Sequence, residues 1–207
     1  MERRHFLQQA GMLAALGLLG SECTPGKSNI QTPQAGAPLQ PFLLLPEAPL
    51  QHNNGMAIRT RVRSGTTGGV YSCVECAVAP KVMGPPPHYH KALDELMFVL
   101  EGTASVQVGR EVVQIPAGGW HFRPRMLPHT FWNASDQPLR FVDMYFNQPF
   151  EEFLERIFYE LTPEKGYPSG SPELERERAL LNEKFGLVYA PTAGAERQAI
   201  VEKYGLR

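Results

Sequence analysis

Gly84-Pro85-Pro86-Pro87-His88-Tyr89-His90, followed by Lys91-Ala92-Leu93-Asp94-Glu95, is the stretch whose reading decides the fold. It brings two imidazoles and a carboxylate into eight consecutive residues, His88 to Glu95. Side chains alternate faces along an extended strand, so His88 and His90 point the same way. Their spacing suits two ligands on one metal ion. Glu95 lies five residues past His90, so a straight strand would turn it to the opposite face. A turn or bulge within Lys91–Asp94 brings it back. Leu96, Phe98 and Leu100 alternate with Met97 and Val99 as in a strand, and Glu101-Gly102 closes that strand with a turn.

A matching segment lies downstream. Gly118 is followed by Pro124 and then by Leu127-Pro128-His129-Thr130-Phe131-Trp132-Asn133. Together the two stretches resemble the paired signature motifs of the cupin superfamily. His88, His90, Glu95 and Gly102 fit the first motif; Gly118, Pro124, His129 and Asn133 fit the second. Two positions depart from the pattern. Gly84 stands closer to His88 than the family spacing, and Met126 occupies the usual glycine of the second motif. His121 competes for the fourth ligand position, because Pro116-Ala117-Gly118-Gly119-Trp120-His121 also mimics the second motif. His129 is preferred, since Pro124 and Asn133 fall in register only with it.

The resemblance runs from roughly Gly55 to Phe146 and implies an all-β fold, a jelly-roll β-barrel with the metal inside. It implies one divalent transition metal held by His88, His90, Glu95 and His129. A mixed nitrogen–oxygen set without thiolate leaves iron, manganese, nickel, cobalt, copper and zinc all open. Each imidazole then needs its second ring nitrogen held, and Asp94 is a candidate for that task. Similarity to quercetin-dioxygenase-like cupins implies a metal-dependent dioxygenase in which Glu95 is both ligand and proton acceptor. A non-catalytic exported binder and a sugar isomerase are the alternatives, because fold alone does not choose among them. Cupins commonly dimerise through their sheets, so a homodimer is expected.

The 207 residues carry a formal net charge of −1, which gives no general attraction to nucleic acid or anionic lipid. Apolar residues make up 43% and charged ones 20%, the balance of an ordinary globular domain. Residues 1–23 read as a signal peptide, with Arg3-Arg4 before the short apolar run Ala10–Leu19, a pattern that resembles twin-arginine export signals. That run is too short to span a bilayer. Export to the periplasm is the expectation. Lipidation at Cys23 is disfavoured, because Glu22 stands where a small residue is wanted. Residues 24–41, rich in Pro, Gln, Ser and Gly, read as a flexible linker.

Residues 42–148 are expected to form the barrel. Strands are predicted at Phe42–Leu45, Met56–Val62, Tyr71–Ala79, Glu95–Leu100, Thr103–Val108, Glu111–Ile115, Trp120–Phe122, Thr130–Asn133 and Leu139–Phe146. Cys73 and Cys76 lie three apart in a strand, on opposite faces, so they read as buried thiols and not as a redox or zinc pair. Counting alternation from the ligands makes Met97, Val99, Phe122, Phe131 and Tyr145 candidate pocket residues. That set suits a small aromatic or weakly polar substrate. Arg123 and Arg125 stand near the second motif, with no pattern that assigns them to pocket or solvent. Residues 149–207 are expected to pack helices on the barrel. Phe150, Phe153, Leu154, Ile157, Phe158 and Leu161 recur at helical spacing. Ser171 caps a second helix, Pro172–Phe185, which Gly186 ends; a third spans Ala193–Tyr204 before Gly205.

Overall fold

Strict alternation of inward and outward side chains builds the walls of the protein. The computed structural model describes residues 38–207, so the signal peptide expected at residues 1–23, Cys23 with it, and most of the linker expected at residues 24–41 lie outside the described residues. Ten strands come first: β1 Met56–Val62, β2 Tyr71–Val78, β3 Val82–Met83, β4 His88–His90, β5 Asp94–Glu101, β6 Thr103–Val108, β7 Glu111–Pro116, β8 Trp120–Arg123, β9 His129–Asn133 and β10 Leu139–Phe146. They are followed by α1 Phe150–Glu155, α2 Pro172–Phe185, β11 Leu187–Tyr189 and α3 Ala193–Tyr204.

The strands form two antiparallel sheets in a jelly roll. One runs β1-β2-β10-β5-β8; the other runs β11-β4-β9-β6-β7, with β3 beside β9. Along β10, Leu139, Phe141, Asp143 and Tyr145 are buried while their neighbours are half-buried, the two-residue period of a strand with one face inside. Val74, Val78, Val99, Val106, Leu139 and Phe141 close the core with no exposed surface. Two motif residues have structural work. Asn133 donates to the carbonyls of Val78, Ala79 and Gln137 and accepts from Ser135, tying three chain segments at one buried point. Gly84 passes so close to β9 that a Cβ would lie 2.4 Å from the Phe131 carbonyl oxygen, so no larger residue fits there.

The sequence predicts a strand over Phe42–Leu45, and the structure has none. Phe42, Leu43 and Leu45 are exposed, and the segment is tied to β1 by side chains instead of a backbone ladder. Arg61 donates to the Leu45 carbonyl, Arg59 to that of Ala48, and Glu47 pairs with both arginines. The first C-terminal helix also differs from expectation. Its α-helical part ends at Glu155, and Arg156–Glu160 continues as a π-helical turn. Phe153 is buried, whereas Ile157 and Phe158 are only half-buried on the core.

The second and third helices have the predicted bounds. Ser171 accepts a hydrogen bond from the Leu174 amide, Pro172 opens the first turn, and Gly186 ends the helix in the left-handed conformation. Between them the helical tail contributes a strand that sequence does not signal. β11 pairs antiparallel with β4, placing Leu187 opposite His90 and Tyr189 opposite His88. Beyond it, α3 packs Ile200 and Tyr204 against Met83 and Trp132 on the outside of β9. No helix among the described residues is long and apolar enough to cross a membrane.

Candidate metal centre

His88 and His90 lie on β4, Glu95 near the start of β5, and His129 at the start of β9. The bend at Lys91–Leu93 between β4 and β5 turns Glu95 back to the face of the two histidines. One ligand atom from each of the four residues lies within 4.8 Å of all the others, and all four residues are buried. His129 faces His88 directly across the β4–β9 ladder. His121 is not part of this group. It sits opposite Met97, one row along the barrel from the row of Glu95.

The hydrogen bonds around the rings set their tautomers. His88 Nδ1 lies 2.8 Å from the Pro86 carbonyl and His129 Nδ1 lies 3.0 Å from the Leu127 carbonyl. A carbonyl only accepts, so each Nδ1 carries the proton and each Nε2 keeps its lone pair. For His88 and His129, backbone carbonyls therefore do the task expected of Asp94, whereas Nδ1 of His90 is buried without a hydrogen-bond partner. Asp94 instead binds Arg125, by its backbone amide and its guanidinium, and Asn147.

Metal is what this arrangement fits. Nε2 of His90 and of His129 are buried without an aligned hydrogen-bond partner, though they lie 3.0 and 3.3 Å from oxygens of Glu95. Unpaired buried lone pairs are costly, and a shared cation satisfies them together. Ligands about 2.1 Å from one ion are at most ~4.2 Å apart, close to the span seen here. Burial and the two neighbouring imidazoles push His88 down to about 3, so it stays neutral, as a ligand must be.

Arg123 stands inside, not in solvent. Glu95 lies between Tyr145 and Arg123 across β10, β5 and β8, so Arg123 takes the inward position on β8. It is 1% exposed, with Nη2 2.9 Å from Glu95 Oε2 and also bonded to Asp143. Tyr145 Oη lies 3.4 Å from the other Asp143 oxygen. Burial alone would raise Glu95, but Arg123 and His129 outweigh it and hold this carboxyl well below the usual range. Burial raises the Asp143 carboxyl, and Arg123 only partly offsets this. Arginine is among the residues least often buried, so sequence gave no reason to place it here; the register β8–β5 was the missing information.

A cavity of about 640 Å³ opens from the cluster. His88, Glu95, His129, Arg123 and Asp143 form its polar end, while Ile58, Phe131, Tyr145, Phe150 and Phe153 belong to an apolar wall. The C-terminal helices supply the far side, including Arg178 and Asn182 of α2. Of the residues that alternation made candidates, Phe131 and Tyr145 line this cavity. Met97 and Val99 do point inward, but they are fully buried in the core beneath it and do not line it. Phe122 is 54% exposed, because its register opposite Leu96 turns it outward. Cys76 borders the cavity, while Cys73 is half-buried on the other face, and burial pushes both thiols up, Cys73 to about 11. The two thiols stand on opposite faces of β2, so they do not form a metal-binding or redox pair with each other.

Residues 74–145 match the family model described as the cupin domain. The matched stretch runs from within β2 to within β10 and takes in all four residues of the cluster. Several solved structures resemble part of the chain at low identity. KdgF from Halomonas sp. is 14% identical, with a TM-score of 0.43 over 50% of this chain and 88% of its own. The TT1209 protein of Thermus thermophilus is 25% identical, with a TM-score of 0.42 over 47% of this chain and 88% of its own. The polyketide cyclase RemF from Streptomyces resistomycificus is 25% identical, with a TM-score of 0.40 over 45% of this chain and 66% of its own. No curated protein matches this chain in sequence.

Proposed function

We propose that this cupin is a metal-dependent dioxygenase acting on a small aromatic or phenolic substrate, with the ion held by His88, His90, Glu95 and His129. The juxtaposition of that four-donor cluster with a largely apolar cavity supports it. A divalent transition metal bound there supplies Lewis-acid polarisation and, if redox-active, access to dioxygen chemistry. The chain supplies the rest. The apolar and aromatic wall desolvates a flat, weakly polar molecule and holds it against the polar end of the cavity. A sugar would leave many hydroxyls unpaired on the same wall, which weighs against an isomerase.

Glu95 is proposed as ligand and proton acceptor. Arg123 keeps its carboxyl ionised, so it is in the accepting form at neutral pH, though as a weak base. The same contact supports a second reading, a non-catalytic binder, in which Glu95 serves only as ligand. Two measurements separate the two: elemental analysis of the protein as purified, then oxygen uptake with phenolic substrates after loading with Fe, Mn, Ni, Co, Cu or Zn. Uptake that requires bound metal supports the dioxygenase. A fully metallated protein that binds phenolics and consumes no oxygen moves the binder ahead.

Two further proposals complete the function. Export through a twin-arginine route rests on Arg3-Arg4 and the apolar run after it; cell fractionation of an Arg3→Lys, Arg4→Lys variant tests it. A homodimer is proposed through the outer face of the five-stranded sheet. There the edge strand β8 leaves Trp120 and Phe122 each 54% exposed, with Phe98 stacked on Trp120. A monomeric mass by light scattering at working concentration sinks the dimer.

A further inference from the structure

We infer that Arg123 and Asp143 act as a positioning pair that ties one oxygen of Glu95 and leaves the other for the metal. The inference rests on the metal-site reading above. It starts from the distribution of partners over the Glu95 carboxylate. Oε2 lies 2.9 Å from Arg123 Nη2 and 3.3 Å from His129 Nε2, whereas Oε1 lies 3.0 Å from His90 Nε2. Both oxygens thus face an imidazole, and Oε2 is in addition engaged by a fixed cation, which leaves Oε1 the less encumbered of the two. A carboxylate held in this way is presented as a one-oxygen ligand.

Arg123 can do this only because it is itself immobile. It is 1% exposed, and its second anion is Asp143, which is 2% exposed and is reached from Tyr145 Oη at 3.4 Å. The Arg123 guanidinium also lies over the Phe131 ring, 6.0 Å from its centre. A buried arginine facing one carboxylate would be pulled wholly onto Glu95 and would compete with the metal for it. With Asp143 present, the guanidinium charge is divided between two anions. Burying two carboxylates and a guanidinium costs desolvation that an apolar trio would avoid, so a role for the trio in positioning explains its presence better than stability does. The Nε–H of Arg123 is buried without a partner, which shows that the guanidinium is placed for the two carboxylates and not for its own full hydrogen bonding.

The test uses the full protein and needs no substrate. The double variant Arg123→Met, Asp143→Asn removes one positive and one negative charge, so the net charge of the pocket is unchanged and the loss of orientation is read by itself. Metal affinity is measured by chelator competition with Co2+ and Zn2+, and ligand geometry by the visible absorption of the Co2+ form. The expected result is an affinity lower by about 10- to 100-fold, the range for losing a partner that orients a ligand, together with a changed Co2+ spectrum. Should the double variant not fold, Asp143→Asn alone gives the same readings with side-chain volume preserved, and a smaller shift in the same direction is expected. Wild-type affinity with an unchanged spectrum, in whichever of the two variants folds, overturns the inference. A wild-type protein that binds neither ion overturns the metal-site reading instead, so the two failures are told apart.

Discussion

Leu187 pairs across the backbone ladder with His90, so the tail of the chain builds a strand onto the one that carries two candidate ligands. The pairing continues past the strand, where the Lys91 amide donates to the Gly186 carbonyl at 2.9 Å. Leu187 is buried and packs in the same core as Val99 and Phe131. Leu187→Ala is expected to cost roughly 2–5 kcal/mol, as for other buried leucines. Ile200→Ala, in the separate cluster around Trp132, is the comparison. Both variants should unfold earlier in urea, but only Leu187→Ala should weaken metal binding per folded molecule. Equal affinity in the two variants would show that β11 merely covers the barrel.

Replacing Glu95 with Gln separates its two proposed roles. The amide oxygen still coordinates, but it carries no charge and accepts no proton at neutral pH. Metal content is expected to fall only partly, and turnover per bound metal by a factor of ~10²–10⁴, the usual loss on removing a general base. His88→Ala deletes a ligand, so its occupancy and activity should fall together. Full activity per bound metal in Glu95→Gln makes Glu95 a spectator in proton transfer.

These roles were unequally legible in the sequence, for physical reasons. The candidate cluster could be read because strand alternation and local spacing are written in consecutive residues; His88, His90 and Glu95 need only one bend to converge. The bounds of α2 and α3 were legible because Ser171, Pro172, Gly186 and Gly205 are local signals. Arg123 was not, since its inward position is decided by the register of β8 on β5, which no stretch of sequence carries. Phe122 was misplaced by the same missing register. β11 is three residues between two helices, too short to show a period, and its partner lies about a hundred positions away in sequence. Phe42–Leu45 has strand-like composition, but it is held to the edge strand β1 by side chains and forms no backbone ladder with it.

Met126 sits where the second motif usually has glycine, and its φ is 64°, in the left-handed region. Such a conformation costs a residue with a Cβ about 1–2 kcal/mol. The turn is nonetheless needed, because the Met126 amide donates to the His90 carbonyl at 2.8 Å. Its side chain is 60% exposed and contributes little packing. Met126→Gly relieves the strain but adds freedom to the unfolded chain, which takes back roughly 0.4–1 kcal/mol. A rise in Tm of about 2 °C is expected, given roughly 2–4 °C per kcal/mol at this chain length. A lower Tm would mean that the methionine side chain holds the turn.

Acid should unfold the metal-free protein from an unusually high pH. His88 in the folded chain is pushed down to about 3 from an ordinary value of 6.5, by burial first and by His129 and His90 next. Below pH 6.5 the unfolded chain therefore takes up a proton that the folded chain refuses. Stability is lost as pH falls through the window from 6.5 to about 3. Glu95 acts in the same direction but lower, because its folded carboxyl titrates well below the ordinary 4.5 and the unfolded one protonates first. The two windows are separable. Between about pH 6.5 and 4.5 His88 contributes and Glu95 does not, so His88→Gln should flatten the fall in Tm there and leave the steeper loss below it. The expected loss for the wild-type protein is on the order of a few kcal/mol across the upper window. A bound divalent ion should move the whole profile to lower pH, since it requires the same imidazoles to be neutral. A Tm that stays level from neutral pH down to about 4.5 in the chelator-treated protein would show that His88 is not held in the buried, unprotonated state described here.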